Sequence, residues 1–351
     1  MIDNLLAENN YHEAINLCKE NGADSLVRLM TLALEHKLLQ YTPEEKKKDK
    51  EEEKKEDDQL IRVLLMCSWC SSQQLIETWN TMSEDGNYRW KNIKIVAEEP
   101  CDYYCIINKP PPNNTVKYDP QKTFLFRMEP FMEKDERQWG EFAKPDASKF
   151  KFVGYHDTQY NNNEWHLSKT YMELNNDEEK IEKNPELSNV LSTILSDKYK
   201  DPGHIKRVDF IKFIEKKIDV HVFGSDKFLW KNYKGSLPYH AKDDSLLPYK
   251  YSFNVENHSI KNYYTEKLID GILAETLVFY SGCFNVRDYI DEKAFVYLEL
   301  SNFEHDYQVV RKAIEEDWYT QRLPYIKEAK KKLLNELQFF PRLHKLINTS
   351  L

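Results

Sequence analysis

Between Tyr249 and Gly282 the chain sets carboxylate, amide and ammonium groups at one strand end and one helix start. An apolar run closes in Glu256-Asn257, a polar loop follows, and Tyr264-Thr265-Glu266-Lys267 opens a helix. A second apolar run, Leu277–Tyr280, ends at Gly282. That order reads as strand, loop, helix and strand. In open α/β sheets ligands bind outside the carboxyl ends of the strands. A helix N-terminus at that edge offers unpaired N–H groups to an anion. The pattern therefore points to an anionic, phosphate-bearing ligand.

The elements that must position these groups are legible as alternating apolar and amphipathic runs, which imply parallel sheets with covering helices. Apolar runs at residues 60–66, 93–96, 103–107 and 123–126 read as strands, with a helical run over 73–82. A second series starts near residue 187, with strands over 190–195, 220–223, 253–255, 277–280 and 294–298. Helices are expected over 204–215, 264–274, 303–319 and 324–347, with Pro324 placed at a helix start. Residues 1–42 read as a pair of amphipathic helices and 43–59 as a Glu/Lys/Asp linker, solvated or disordered because nothing in it can be buried. The expected division is a helical extension (1–42), a linker (43–59), an N-terminal α/β domain (60–185) and a C-terminal α/β domain with terminal helices (186–351).

The donor-side segment resembles that of the α-1,3/4-fucosyltransferases, glycosyltransferase family 10. Tyr249-Lys250-Tyr251, Phe253, Glu256-Asn257, Tyr264 and Thr265-Glu266-Lys267 follow the family's order and spacing. Ordered resemblance runs from about residue 60 to 330, and the first 57 residues have no counterpart in it. The resemblance implies a GT-B-like α/β fold, two doubly wound Rossmann-like domains facing a cleft, here behind an N-terminal helical extension. It also implies an inverting glycosyltransferase that takes fucose from GDP-fucose to a hydroxyl of a glycan acceptor. Two alternatives stay open: another nucleotide-deoxysugar donor on the same fold, or a non-catalytic glycan- or partner-binding protein.

The family pattern places an arginine early in the helix after a serine-ended strand. Ser196 ends such a run here, and Arg207 matches the arginine. Arg207 and Lys267 are then expected to neutralise the departing nucleotide diphosphate, Arg207 by charge-assisted hydrogen bonds. Glu266 would accept from ribose hydroxyls, Asn257 and Tyr264 would touch phosphate or sugar, and Glu256 would orient them. The catalytic base is expected at Glu129, just past the strand Thr123–Phe126, with Glu133 and Asp135 as rivals. For the acceptor, Tyr155, His156 and Trp165 supply aromatic faces in a polar stretch. No Asp-x-Asp pair occurs in the sequence. The expectation is a site in which Arg207 and Lys267 replace a metal, with no metal ligands and no cofactor beyond the GDP-sugar substrate.

Composition limits the partners. The net charge of −9 argues against a dedicated nucleic-acid binder, which needs a basic face. No run of 18 apolar residues occurs and no signal pattern opens the sequence, so no transmembrane segment and a cytoplasmic location are expected. The N-terminal helices offer a surface for a protein partner. Six cysteines without a signal pattern read as reduced thiols. Cys67-Ser68-Trp69-Cys70 with Cys101 and Cys105 allows a zinc or redox reading, but buried thiols near the cleft fit better, since Cys105 falls inside a strand.

Overall fold

The computed structural model describes residues 59–130, 139–155, 164–238 and 241–349. The N-terminal helix pair and the linker through residue 58 lie outside the described residues, as do Glu133, Asp135 and His156. Residues 61–351 form one of two units of the chain and carry both sheets.

The first sheet begins with β1 (Ile61–Cys67) and α1 (Ser72–Trp79). Ser71 caps α1: its hydroxyl accepts from the Gln74 backbone N–H, and the Gln74 side chain returns to the Ser71 backbone N–H. This capping box fixes where β1 hands over to α1. Leu75, Ile76 and Trp79 form the buried face of the helix. Next come β2 (Arg89–Trp90), β3 (Ile93–Val96), β4 (Tyr103–Ile107), β5 (Thr123–Phe126) and β6 (Phe152–Gly154). The order is β2-β3-β1-β4-β5-β6, parallel except for the β2–β3 pair. The middle strands are almost wholly buried, as parallel strands covered on both faces must be. From β1 the chain winds outward to β3 on one side, then to β4, β5 and β6 on the other. The winding reverses between β1 and β4.

A short turn, α2 (Tyr171–Leu174), precedes the second sheet. It runs β7 (Leu191–Leu195), α3 (Pro202–Ile214), β8 (Val220–Gly224), β9 (Tyr233–Gly235), α4 (Asp243–Leu246), β10 (Tyr251–Val255), α5 (Glu266–Leu273), β11 (Leu277–Ser281) and β12 (Phe295–Tyr297). The order β12-β11-β10-β7-β8-β9 is parallel throughout. Written from the other edge it is the 3-2-1-4-5-6 arrangement of dinucleotide-binding sheets, with its switch point between β7 and β10. Two doubly wound sheets in one chain match the GT-B-like architecture. Among the described residues no helix is long and apolar enough to cross a membrane.

Three helices close the chain: α6 (Phe303–Glu315), α7 (Trp318–Lys332) and, after a π-helical turn at Leu333–Leu337, α8 (Phe339–Asn348). The last of them returns to the first sheet, where Phe339 packs 4.7 Å from Trp79 and Phe340 stacks 6.1 Å from Trp90. Pro324 lies inside α7 and does not start a helix. The start is set earlier by Asp317, whose carboxylate accepts from the Thr320 N–H and hydroxyl. This cap begins the helix wherever it sits, so the proline falls in the second turn and gives up one backbone bond there.

One junction decides the geometry of the second switch point. Gly203, in the first turn of α3, donates its N–H to the Asn257 carbonyl at 3.1 Å. A Cβ at Gly203 would overlap the Glu256 carbonyl oxygen and lie 2.8 Å from that of Asn257. Only glycine lets α3 press against the end of β10. A Gly203→Ala variant is expected to lose about 1–3 kcal/mol of stability, as overpacking against rigid backbone does. The midpoint of urea unfolding, compared with wild type at unchanged slope, measures it.

Candidate active site

A cavity of about 250 Å³ opens at the C-terminal edge of the second sheet, where β7 and β10 part. Ser196 follows β7, Asn257 follows β10, and the starts of α3 and α5 supply Arg207, Glu266 and Lys267. These five residues, all expected from the sequence, line one space. Arg207 is only 6% exposed. Its Nη1 donates to the Val255 carbonyl and to Asn257 Oδ1, both at 3.2 Å, and its Nη2 to Ser196 Oγ at 3.1 Å. Its Nε is buried without a hydrogen-bond partner. Burial lowers the Arg207 pKa, against the pull of Glu256 and Glu266. A guanidinium nevertheless stays charged in proteins, so a cation is fixed across the gap between the two strand ends.

Glu256 stands behind the cavity wall. It is 1% exposed and accepts from the Thr265 N–H and the Thr265 hydroxyl, each at 2.8 Å, and from the Tyr280 hydroxyl at 3.3 Å. Thr265 in turn caps α5 by accepting from the Lys267 N–H. Asn254 Nδ2 donates to the Lys267 carbonyl at 2.7 Å. The first turn of α5 is thus tied to β10 from both sides, which aims Lys267 and Glu266 into the cavity. Lys267 Nζ lies 2.9 Å from Glu266 Oε1 and 3.7 Å from Glu256 Oε2. Burial works against the Lys267 charge, but Glu266 and Glu256 outweigh it and raise its pKa. Burial likewise works against Glu266, yet Lys267, Lys242 and His166 hold it well below the usual carboxylate range. Glu256 shifts the other way, because burial raises it more than Lys267 and Thr265 lower it.

Lys242, Asp270, His204 and His166 also line the cavity, and the sequence assigns none of them to the donor side. Lys242 Nζ sits 2.8 Å from Asp270 Oδ2 and 3.6 Å from Glu266 Oε1. Asp270 Oδ1 accepts from the His166 backbone N–H at 2.7 Å. His204 is 3% exposed, and burial together with Arg207 lowers its pKa to about 4, so it is neutral at physiological pH. Asp270 lies four residues after Glu266, and His204 three before Arg207. Helical spacing places both beside residues already singled out and could have found them. Nothing local marks Lys242, and His166 stands in the polar stretch read as acceptor-side; the place of both in this cavity depends on the tertiary fold.

Glu129 leaves the end of β5 on a doubly anchored backbone. Asn108 Oδ1, at the end of β4, accepts from both the Met128 and Glu129 N–H groups, at 2.8 and 3.1 Å. Arg127 lies 4.2 Å over the Trp139 ring, and its Nη1 donates to the carbonyls of Phe142 and Ala143. The Glu129 side chain reaches solvent, yet protein crowds it enough that lost hydration raises its pKa. Lys267 opposes this rise, whereas Glu266 and Glu164 add to it. Burial and the same Glu129 charge push the buried Tyr263 phenol well above its ordinary value. The Glu129 carboxylate at the end of the first sheet is thus coupled to Lys267 and Glu266 of this cavity.

Two expected contacts are not available. Tyr264 is wholly buried, packed 5.4 Å from the Tyr289 ring, and does not line the cavity. Its apolar ring follows the core of the unit, not the polar residues beside it. Trp165 is 4% exposed, with its indole N–H donated to the Lys169 carbonyl, and so presents no face to a sugar. Tyr155 is half-buried just beyond β6. Cys67 and Cys70 bring their sulfurs to 3.4 Å, while Cys105 is buried in the core on one face of the sheet and Cys101 packs against the cluster on the other.

Residues 184–316 match the family described as glycosyltransferase family 10 (fucosyltransferase), C-terminal. No curated protein matches the chain. Among solved structures, an alpha1,3-fucosyltransferase with GDP is 16% identical at a TM-score of 0.47, over 75% of this chain and 81% of that one. A further alpha1,3-fucosyltransferase structure is 15% identical at 0.48, over 82% and 88%. A glycosyltransferase from Rickettsia africae ESF-5 is 10% identical at 0.48, over 83% and 97%. Residues 184–316 thus form a glycosyltransferase family 10 C-terminal domain, and by that domain the chain is a glycosyltransferase.

Proposed function

We propose that the protein is an inverting, metal-independent transferase that moves fucose from GDP-fucose to a hydroxyl of a glycan. The observation that carries this reading is the pair Arg207 and Lys267 at the switch point of a dinucleotide-type sheet, both lining one cavity. A nucleotide diphosphate there would meet a fixed guanidinium and an ammonium. Together they would take up the charge that develops as the sugar leaves. Glu266, held ionised by its neighbours, suits ribose hydroxyls as an acceptor. Asn257 and Ser196 would complete the polar wall. Glu129 would take the proton of the acceptor hydroxyl as its oxygen bonds to the anomeric carbon. The bond to the phosphate oxygen breaks in the same event, GDP leaves, and no covalent enzyme intermediate forms.

Calorimetry in EDTA tests the donor half. GDP should bind without added metal, and Arg207→Ala should weaken it by about 10- to 100-fold, the loss expected for a charge-assisted contact of roughly 1.5–3 kcal/mol. Tighter binding of UDP than GDP would keep the transferase and remove fucose as the donor sugar.

The base is tested by turnover. Glu129→Gln should lower kcat by about 10²- to 10⁴-fold while leaving GDP affinity near wild type. Equal turnover in both proteins would exclude Glu129. Glycan binding with no turnover in either would favour a binding protein. The base works ionised and its pKa is raised, so kcat/KM should rise with pH through a midpoint above the ordinary glutamate value of about 4.3. That limb should be missing from the residual rate of Glu129→Gln.

A further inference from the structure

The passage from β1 to α1 carries a Cys-x-x-Cys motif, Cys67-Ser68-Trp69-Cys70, which takes no part in the proposed transfer. β3 runs parallel to β1, so the motif joins strand to helix within a β–α–β unit, a setting in which this spacing supports thiol redox chemistry. The two sulfurs stand 3.4 Å apart in a shared hydrogen bond, and Cys67 Sγ also lies 3.5 Å from the Cys70 carbonyl oxygen. We propose that Cys67 and Cys70 form a redox-active dithiol, a site of reversible two-electron modification by small disulfides of the glutathione class. The proposal goes beyond the transferase reading and does not rest on it.

Cys67 is the last residue of β1, wholly buried, and its register partner in β4 is Ile107. Cys70 is half-buried and lines a cavity of about 320 Å³ beside α1, together with Trp69, Gln74 and Glu77. An oxidant therefore meets Cys70 first, with Cys67 behind it as the resolving thiol. A disulfide holds its sulfurs about 2.05 Å apart, so closure asks for about 1.4 Å of movement. That movement falls on the loop, because β1 is paired with strands on both sides. Trp69 sits in the moving loop and is 46% exposed, which makes its indole a reporter of closure. Cys101 and Cys105 are also close in sequence, yet they pack on opposite faces of the sheet.

The chemistry is thiol–disulfide exchange. The Cys70 thiolate attacks one sulfur of oxidised glutathione and expels a glutathione thiolate, leaving a mixed disulfide. The Cys67 thiolate attacks the Cys70 sulfur of that mixed disulfide and expels the second glutathione. The protein gives up two electrons and two protons, and the oxidised glutathione takes them up as two thiols. Burial, then the hydrogen bond and charge of Cys67, push the Cys70 thiol up to about 12. Only the thiolate attacks, so the reduced pair reacts slowly at neutral pH and faster as pH rises.

Trypsin cuts after Arg62 and Arg89, so one peptide, 63–89, carries Cys67 and Cys70 and no other cysteine. A second, 95–117, carries Cys101 and Cys105 and serves as the control. The folded full chain is equilibrated at mildly alkaline pH with mixtures of reduced and oxidised glutathione, alkylated, digested and weighed by mass spectrometry. Peptide 63–89 should lose two hydrogens and both alkylation sites as the mixture becomes oxidising, and dithiothreitol should restore them. Peptide 95–117 should stay alkylated at both cysteines. Indole fluorescence should change at the same midpoint in wild type and lose that change in Trp69→Phe. Cys67→Ala, which keeps a small apolar side chain in the core, should stop at a glutathione adduct on Cys70. The proposal is overturned if peptide 63–89 stays alkylated at both cysteines at every glutathione ratio, or if it oxidises only when urea unfolds the chain. It is also overturned if Cys67→Ala, folded by circular dichroism, takes up no glutathione at Cys70.

Discussion

The buried carboxylate of Glu256 is the constraint on which the cavity of the second sheet depends. A carboxylate taken out of water costs several kcal/mol unless its oxygens are matched. Here Thr265 supplies two donors and Tyr280 a third, and the Lys267 ammonium stands 3.7 Å away. Those partners come from the start of α5 and the end of β11, so satisfying one charge locks strand end to helix start. The aim of Lys267 follows from that lock. So does the tight backbone around it: α3 reaches the same strand end only through Gly203, and a Cβ at Gly282 would meet the Glu256 side chain.

Charge in the cavity is arranged to be nearly balanced before a ligand arrives. Lys242 and Lys267 are both engaged with carboxylates, Asp270 and Glu266. His204, neutral at physiological pH, contributes hydrogen bonding without charge. Arg207 is different: its partners are two carbonyl-type oxygens and a hydroxyl, none of them charged. Its full positive charge is therefore left to act on whatever enters the cavity. Lys198 adds an exposed cation to the lining. An anion is the ligand that such a distribution favours.

Much of this was readable in the sequence because parallel strands buried on both faces must be continuous apolar runs. The strands over 93–96, 103–107 and 123–126 coincide with expectation for that reason. The edge strands β2, β6 and β9 were not legible: each is two or three residues long and incompletely buried, so no periodic signal develops. The donor-side residues fall within one local strand–helix unit plus the helix after β7, which is why their grouping could be anticipated. Tyr264 and Trp165 show the limit. An aromatic residue in a polar stretch is equally compatible with a binding face and a core anchor, and only the tertiary packing decides. Lys242 and His166 belong to loops brought in from elsewhere, and no spacing rule connects them to Glu266 and Asp270.

The ends of the two sheets are electrostatically dependent on each other. Glu129 is held in place by Asn108 from the first sheet, but its proton affinity answers to Lys267 from the second. Among its neighbours Lys267 does most to hold the Glu129 pKa down. A bound diphosphate would draw on that same ammonium and bring negative charge of its own. Both changes destabilise an ionised Glu129, and so make it a stronger base. In this reading the carboxylate gains proton affinity when a donor is present to receive the acceptor oxygen, and it relaxes once GDP departs. Coupling of this kind needs no moving part. It requires only that Lys267 be shared among Glu256, Glu266 and Glu129, the base proposed above, and the tethered first turn of α5 holds it there.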